Sequence, residues 1–146
     1  MLADVLGGEK IAVTYCGLTN SAIVYRVGEQ SFPELSVISA PANNILYWDA
    51  RSRSLVQQLV PQMVYGRGAG QPLRTLPVVY TTWKRWRTLV PGTTFADPPF
   101  SSLPDHAVSR LMRIVHMRTR ATDAPLFAIR GGLDRTVPPK SQVFAL

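Results

Sequence analysis

A chain of 146 residues, 46% hydrophobic and 17% charged, fits one folded domain and is too apolar for a disordered tail. At this length roughly 68–70% of the unfolded surface can be buried, so no disulfide or metal staple is required, and one cysteine permits no internal disulfide. The net charge of +7 admits an acidic partner (nucleic acid, anionic lipid or an acidic subunit) without choosing among them.

Residues 10–16 and 21–27 read as two strands rich in Val, Ile and Tyr. Leu18-Thr19-Asn20 connects them, with Gly17 free to take positive φ. Residues 31–39 and 44–49 read as strands parted by the turn-forming Pro41-Ala42-Asn43. Two short β segments, 54–59 and 62–66, lie either side of Pro61, and Gly66, Gly68 and Gly70 mark a turn. The GRGAG run there lacks the Lys-Ser/Thr and the helix of a phosphate loop.

Residues 81–90 read as a helix capped by Thr81 or Thr82 and stopped by Pro91-Gly92. Trp83 and Trp86 share one face with Leu89 and Val90, while Lys84, Arg85 and Arg87 fall mainly on the other. Both tryptophan rings are expected to pack on a sheet. A second helix is expected over 102–118, with Ser102 as cap, Pro104 early, and Val108, Leu111, Met112 and Val115 as the apolar stripe. Residues 125–132 and 141–146 read as the last strands. No internal repeat is present. No apolar run reaches the about 18 residues that span a bilayer, and Met1-Leu2-Ala3-Asp4 has neither the basic nor the apolar region of a signal peptide.

Four blocks carry a resemblance. "DVLGGEKIAVTYCGLTNSAIVY" contains the pattern V-T-Y-C-P-L-T/C-x-S, with Gly17 in place of Pro and Thr19 in place of a second cysteine. "NILYWDARSRSLVQQL" follows N-L-V-M-Y-D-x-x-T-x-S-x-W-x-Q, with Val56 in place of Trp. "GAGQPLRTLPVVYTTWKRW" follows a third block ending T-T-W-x-x-W, and "DRTVPPKSQVFAL" a fourth with P-P-K. These blocks resemble a bacterial and archaeal family numbered 3179 among domains of unknown function. The resemblance implies a mostly β domain, usually exported, and no reaction. It points to Tyr15, Cys16, Leu18, Ser21, Asn44, Asp49, Ser54, Gln58, Trp83, Trp86 and Lys140 as the positions that match its motifs. It also implies an earlier strand and a W-H-E-x-V-N-D segment before Asp4. The chain therefore reads as a single domain over 1–146, trimmed at its N-terminus relative to the family. Such trimming is expected to leave Ile11–Tyr15 and Val143–Leu146 as open sheet edges for another chain to cover.

Cys16, at a strand end beside a turn, is a candidate nucleophile or soft metal ligand, but no histidine lies near it in sequence. Free cysteine is among the most buried residue types, so an inert core thiol is the stronger reading. Asn44, Asp49, Ser54 and Gln58 form a polar set in apolar surroundings, fit to line a binding cleft or to hold turns. Arg110, Arg113, Arg118 and Arg120 offer a basic contact for an acidic partner. His106 and His116 with one cysteine do not make an ordinary zinc set, and Met112 with His116 is a weak case for copper or haem. No cofactor is expected. The Trp-Lys-Arg-Trp-Arg run interleaves aromatics with bases as nucleic-acid binders do, but its helical phase favours core packing.

The expected fold is mainly β (α+β): a compact antiparallel sheet or barrel-like domain with two helices packed on it. The expected function is a non-catalytic binding or accessory module in an oligomer or hetero-complex, partnered by other copies or an acidic subunit. The alternatives are a thiol-dependent enzyme or metal-thiolate protein centred on Cys16, and a nucleic-acid binder using the basic helices. An extracytoplasmic location rests on the family resemblance alone.

Overall fold

The structure is a computed structural model that describes residues 1–29 and 31–94, six positions between 110 and 121, Thr122 and Thr136. The chain is mainly β. Strands β1 (Leu2–Leu6), β2 (Glu9–Cys16) and β3 (Ser21–Arg26) follow one another in an antiparallel meander. A short strand, β8 (Thr75–Leu76), closes that sheet beside β3, giving the order β1-β2-β3-β8. The second sheet is another meander, β4 (Leu35–Ser39), β5 (Leu46–Asp49), β6 (Ser54–Gln57) and β7 (Met63–Gly66), in that order. The described residues thus make two four-stranded sheets rather than one sheet, and no closed barrel.

The register follows from alternation. Along β2, Ala12, Thr14 and Cys16 point inward and are buried. They pair with Tyr25, Ile23 and Ser21 of β3. In the other sheet Tyr47 and Asp49 of β5 and Ser54 and Val56 of β6 take the inward places, and Gln58 continues that period past the strand end. Ala12, Tyr25, Tyr47 and Val56 form the core that joins the sheets, with Ile23, Val27, Leu35, Ile45, Met63 and Leu73 packed around it. Two faces that are apolar on one side only must be buried against each other.

Positive φ falls where side-chain chemistry or space allows it. In the β2–β3 turn it is Asn20, at 54°, and not Gly17, that takes the left-handed region. Pro41-Ala42-Asn43 forms a single 3-10 turn with Ala42 and Asn43 both left-handed. Gly66, at φ 98°, lies where a Cβ would strike the backbone of Arg53. The GRGAG segment is accordingly a turn: Ala69 and Gln71 donate backbone hydrogen bonds to Gly66 and Gly68, at 3.1 and 2.9 Å.

Three expectations are corrected. Strand β1 was not foreseen; it pairs with β2 along its whole length, from Leu2 opposite Val13 to Leu6 opposite Glu9. Ile11–Tyr15 is therefore an interior strand and not an open edge. Helix α1 (Trp83–Leu89) forms as expected, with the Thr82 hydroxyl accepting from the Arg85 amide at 3.3 Å. It does not pack on a sheet: none of its residues is buried, Trp83 is 49% exposed and Trp86 is half-buried. The core that joins the sheets is made by Ala12, Tyr25, Tyr47 and Val56, and no residue of α1 takes part in it. The expectation of two helices packed on the sheets is not borne out: the described residues form one complete helix, α1, and the helix expected at 102–118 lies for the most part outside them. Of its positions, Arg110, Arg113, Ile114, Met117 and Arg118 are helical and exposed. The strands expected at 125–132 and 141–146 lie outside the described residues.

Candidate functional site

Gln58 sits at the seam between the sheets and is almost fully buried. Its amide nitrogen donates to the Thr14 hydroxyl at 3.3 Å and to the Ser21 carbonyl at 3.2 Å, both on the first sheet. Its side-chain oxygen accepts from the Ser21 hydroxyl at 3.0 Å and from Asn44 Nδ2 at 2.9 Å. Asn44 Oδ1 in turn accepts from the Leu59 amide at 3.3 Å. The Tyr25 hydroxyl donates to the Gln58 carbonyl at 2.7 Å. Burial, and next the neighbouring Tyr47, push the Tyr25 hydroxyl up to about 12, against a lowering hydrogen bond with Thr14. A carboxamide has two donors and an oxygen with two lone pairs, and here all four are used.

Asp49 and Ser54 belong to a second group at the β5–β6 turn. One Asp49 oxygen accepts from the amides of Glu34 at 2.8 Å and Arg51 at 3.3 Å. The other accepts from the amide and hydroxyl of Ser52. Burial alone would raise the Asp49 carboxyl, but the Ser52 hydroxyl and the three amides outweigh it and hold the group below the usual carboxylate range. The Ser54 hydroxyl donates to the Ser52 carbonyl at 3.1 Å and accepts from the Gly68 amide at 2.8 Å. Among the described residues, no fully buried side-chain nitrogen or oxygen lacks a partner.

Cys16 ends β2 with no exposed surface, its sulfur 3.8 Å from the Asn43 carbonyl oxygen. That carbonyl belongs to the last residue of the 3-10 turn Pro41–Asn43, and the thiol has no solvent-facing surface. Among the described residues no three His, Cys, Asp or Glu side chains come together as a metal set. His106, His116 and Met112 lie outside the described residues.

An open cleft of about 840 Å³ lies between the sheets. Apolar side chains of Tyr25, Leu35, Val56, Met63 and Leu73 line it, with Arg26, Arg51, Arg74, Glu29 and Asp49 as its charged groups. Arg26 pairs with Glu9 at 3.1 Å, and Arg51 with Glu34. The cleft is open to solvent, and apolar and charged side chains share its lining. Of the four polar residues singled out in the sequence, Asp49 alone reaches this cleft, and it does so with both oxygens engaged. Asn44 and Gln58 meet in one network, and Asp49 and Ser54 in another.

Arg110, Arg113 and Arg118 are exposed; Arg120 and Lys140 lie outside the described residues. Sequence reasoning passed over Thr14, Tyr25 and Ser52. Thr14 carried a signal, since it shares the period-two face of Ala12 and Cys16. Tyr25 carried the same signal within β3. Ser52 carried none, because its role depends on where the β5–β6 turn folds back. No helix among the described residues is long and apolar enough to cross a membrane.

Neither curated proteins nor solved structures gave a match to the chain. The model of the family described as "Protein of unknown function (DUF3179)" matches it over residues 1–146, its whole length, and the chain belongs to that family.

Proposed function

We propose that the protein is a non-catalytic binding or accessory module that works within a larger assembly, as an oligomer or with an acidic partner subunit. The observation that carries this reading is how the reactive side chains are spent. Gln58, Asn44, Asp49 and Ser54 direct their polar atoms at each other and at turn backbone. Cys16 is sealed behind the Asn43 carbonyl. What the described residues turn outward includes the cleft, exposed apolar residues on β1 and β4, and cationic side chains. Such surfaces suit binding, and among the described residues they carry no nucleophile with a base beside it. The extracytoplasmic setting implied by the family resemblance belongs to the same proposal.

Sedimentation velocity of the purified full chain, alone and as Cys16→Ala, tests this. The reading expects association that grows with concentration in the micromolar range and is the same for both proteins. A monomer throughout, with a turnover activity that Cys16→Ala abolishes, would replace it with the thiol enzyme.

A further inference from the structure

The apolar side of α1 is exposed and lies on neither of the two described sheets, and its surroundings indicate what would cover it. At 3.6 residues per turn, Leu89, Trp86, Val90 and Trp83 occupy one arc, flanked by Arg85 on one side and Arg87 on the other, with Lys84 and Thr88 opposite. Leu89 is 65% exposed. Trp86 is held in place by its indole N–H, which donates to the Thr93 hydroxyl at 3.0 Å. Just before the helix, Val78, Val79 and Tyr80 are exposed as well. Tyr80 anchors this run to the first sheet, its hydroxyl donating to Asn20 Oδ1 at 2.7 Å. The apolar face is thus presented on a fixed support.

The charge around it has one sign. Residues 50–96 contain no Asp or Glu and seven Lys or Arg, three of them on α1. Among the described residues no carboxylate pairs with Lys84, Arg85 or Arg87.

We propose that residues 78–90 dock the protein on the surface of an anionic lipid bilayer, with α1 lying in the headgroup plane. Trp and Leu on one face and Lys and Arg beside them is the arrangement by which a helix rests at an interface. The rings and aliphatic groups enter the boundary of the acyl region. The long basic side chains reach back to the headgroup phosphates. A nucleic acid would satisfy the cations and stack on the rings, but Val78, Val79 and Leu89 would gain nothing from it. One short helix gives weak, reversible docking, which suits a module that also binds elsewhere.

The test is co-sedimentation of the full chain, at low salt, with vesicles of phosphatidylcholine alone or of equal parts phosphatidylcholine and phosphatidylglycerol. Binding is expected to the anionic vesicles only, weakened by salt, with a blue shift of tryptophan emission. The triple variant Lys84→Glu, Arg85→Glu, Arg87→Glu is expected to lose at least about a hundredfold in partition, taking about 1 kcal/mol for each cation removed near the surface and adding the repulsion of three carboxylates. The double variant Trp83→Ser, Leu89→Ser keeps every charge and is expected to lose about tenfold or more. All five positions are exposed or on an unburied helix, and circular dichroism checks that the sheets persist. Equal partition to neutral vesicles, or none to anionic ones, would overturn the proposal. So would anionic binding that the double variant leaves intact, or a single-stranded oligonucleotide that displaces the vesicles at the same salt.

Discussion

Gln58 and Ser21 clasp each other in both directions: the Gln58 amide donates to the Ser21 carbonyl at 3.2 Å, and the Ser21 hydroxyl donates to the Gln58 oxygen at 3.0 Å. Ser21 opens β3 in one sheet and Gln58 follows β6 in the other, so this pair sets how the sheets meet. Replacing Gln58 with Leu would strip partners from Ser21, Asn44 and Thr14 at once. Each buried polar group left unpaired costs about 1–3 kcal/mol. The expected loss is about 3–5 kcal/mol, read as a drop in urea midpoint at unchanged slope.

Asp49 gives the protein an acid limb. Its carboxyl is held below the ordinary value in the folded state, so the unfolded chain takes up the proton first as pH falls. The stabilisation from Asp49 is fully present above about pH 4, the unfolded value, and is lost as pH drops through the lower folded value. Asp49→Asn is expected to flatten this limb and to cost about 1–3 kcal/mol at neutral pH. Thermal melts between about pH 2 and 7 compare the two proteins.

Cys16 should behave as a core residue. A thiol reagent is expected to leave the native protein unmodified at neutral pH and to react once the chain is unfolded. Cys16→Ala should keep the fold at a cost of about 1 kcal/mol. Rapid stoichiometric labelling of the native protein would show that the 3-10 turn over the sulfur opens.

Gly66 is a position where glycine is required twice over. Its φ of 98° excludes ordinary side chains, and a Cβ would collide with the backbone of Arg53 and Ser54. Gly66→Ala is expected to cost about 2 kcal/mol or more. Gly70→Ala, equally left-handed but with open space around it, should cost less. Chemical denaturation of the two variants side by side separates the clash from the strain.

Local chemistry made much of the β framework legible. Alternating Val, Ile and Tyr, punctuated by Asn, Pro and Gly, marks β2, β3, β5, β6 and β7 and their turns, because strand period and turn preference are properties of neighbours in sequence. The burial of Cys16 was legible for the same reason, through its period with Ala12. The Thr82 cap of α1 is equally local. Other features depend on segments far apart in the chain. Leu2–Leu6 is a strand only because β2 offers it a partner, and Thr75–Leu76 only because β3 has a free side. The polar set could not be divided by inspection: Gln58 meets Ser21 and Thr14 across the seam, 37 and 44 residues away in sequence, and Asn44 meets Thr19, 25 residues away, while Asp49 and Ser54 close a turn of their own sheet. The spacing of Trp83 and Trp86 gave them one face, as it must for any helix. Whether that face is covered was decided by the tertiary structure, in which the core joining the two sheets takes no residue from α1.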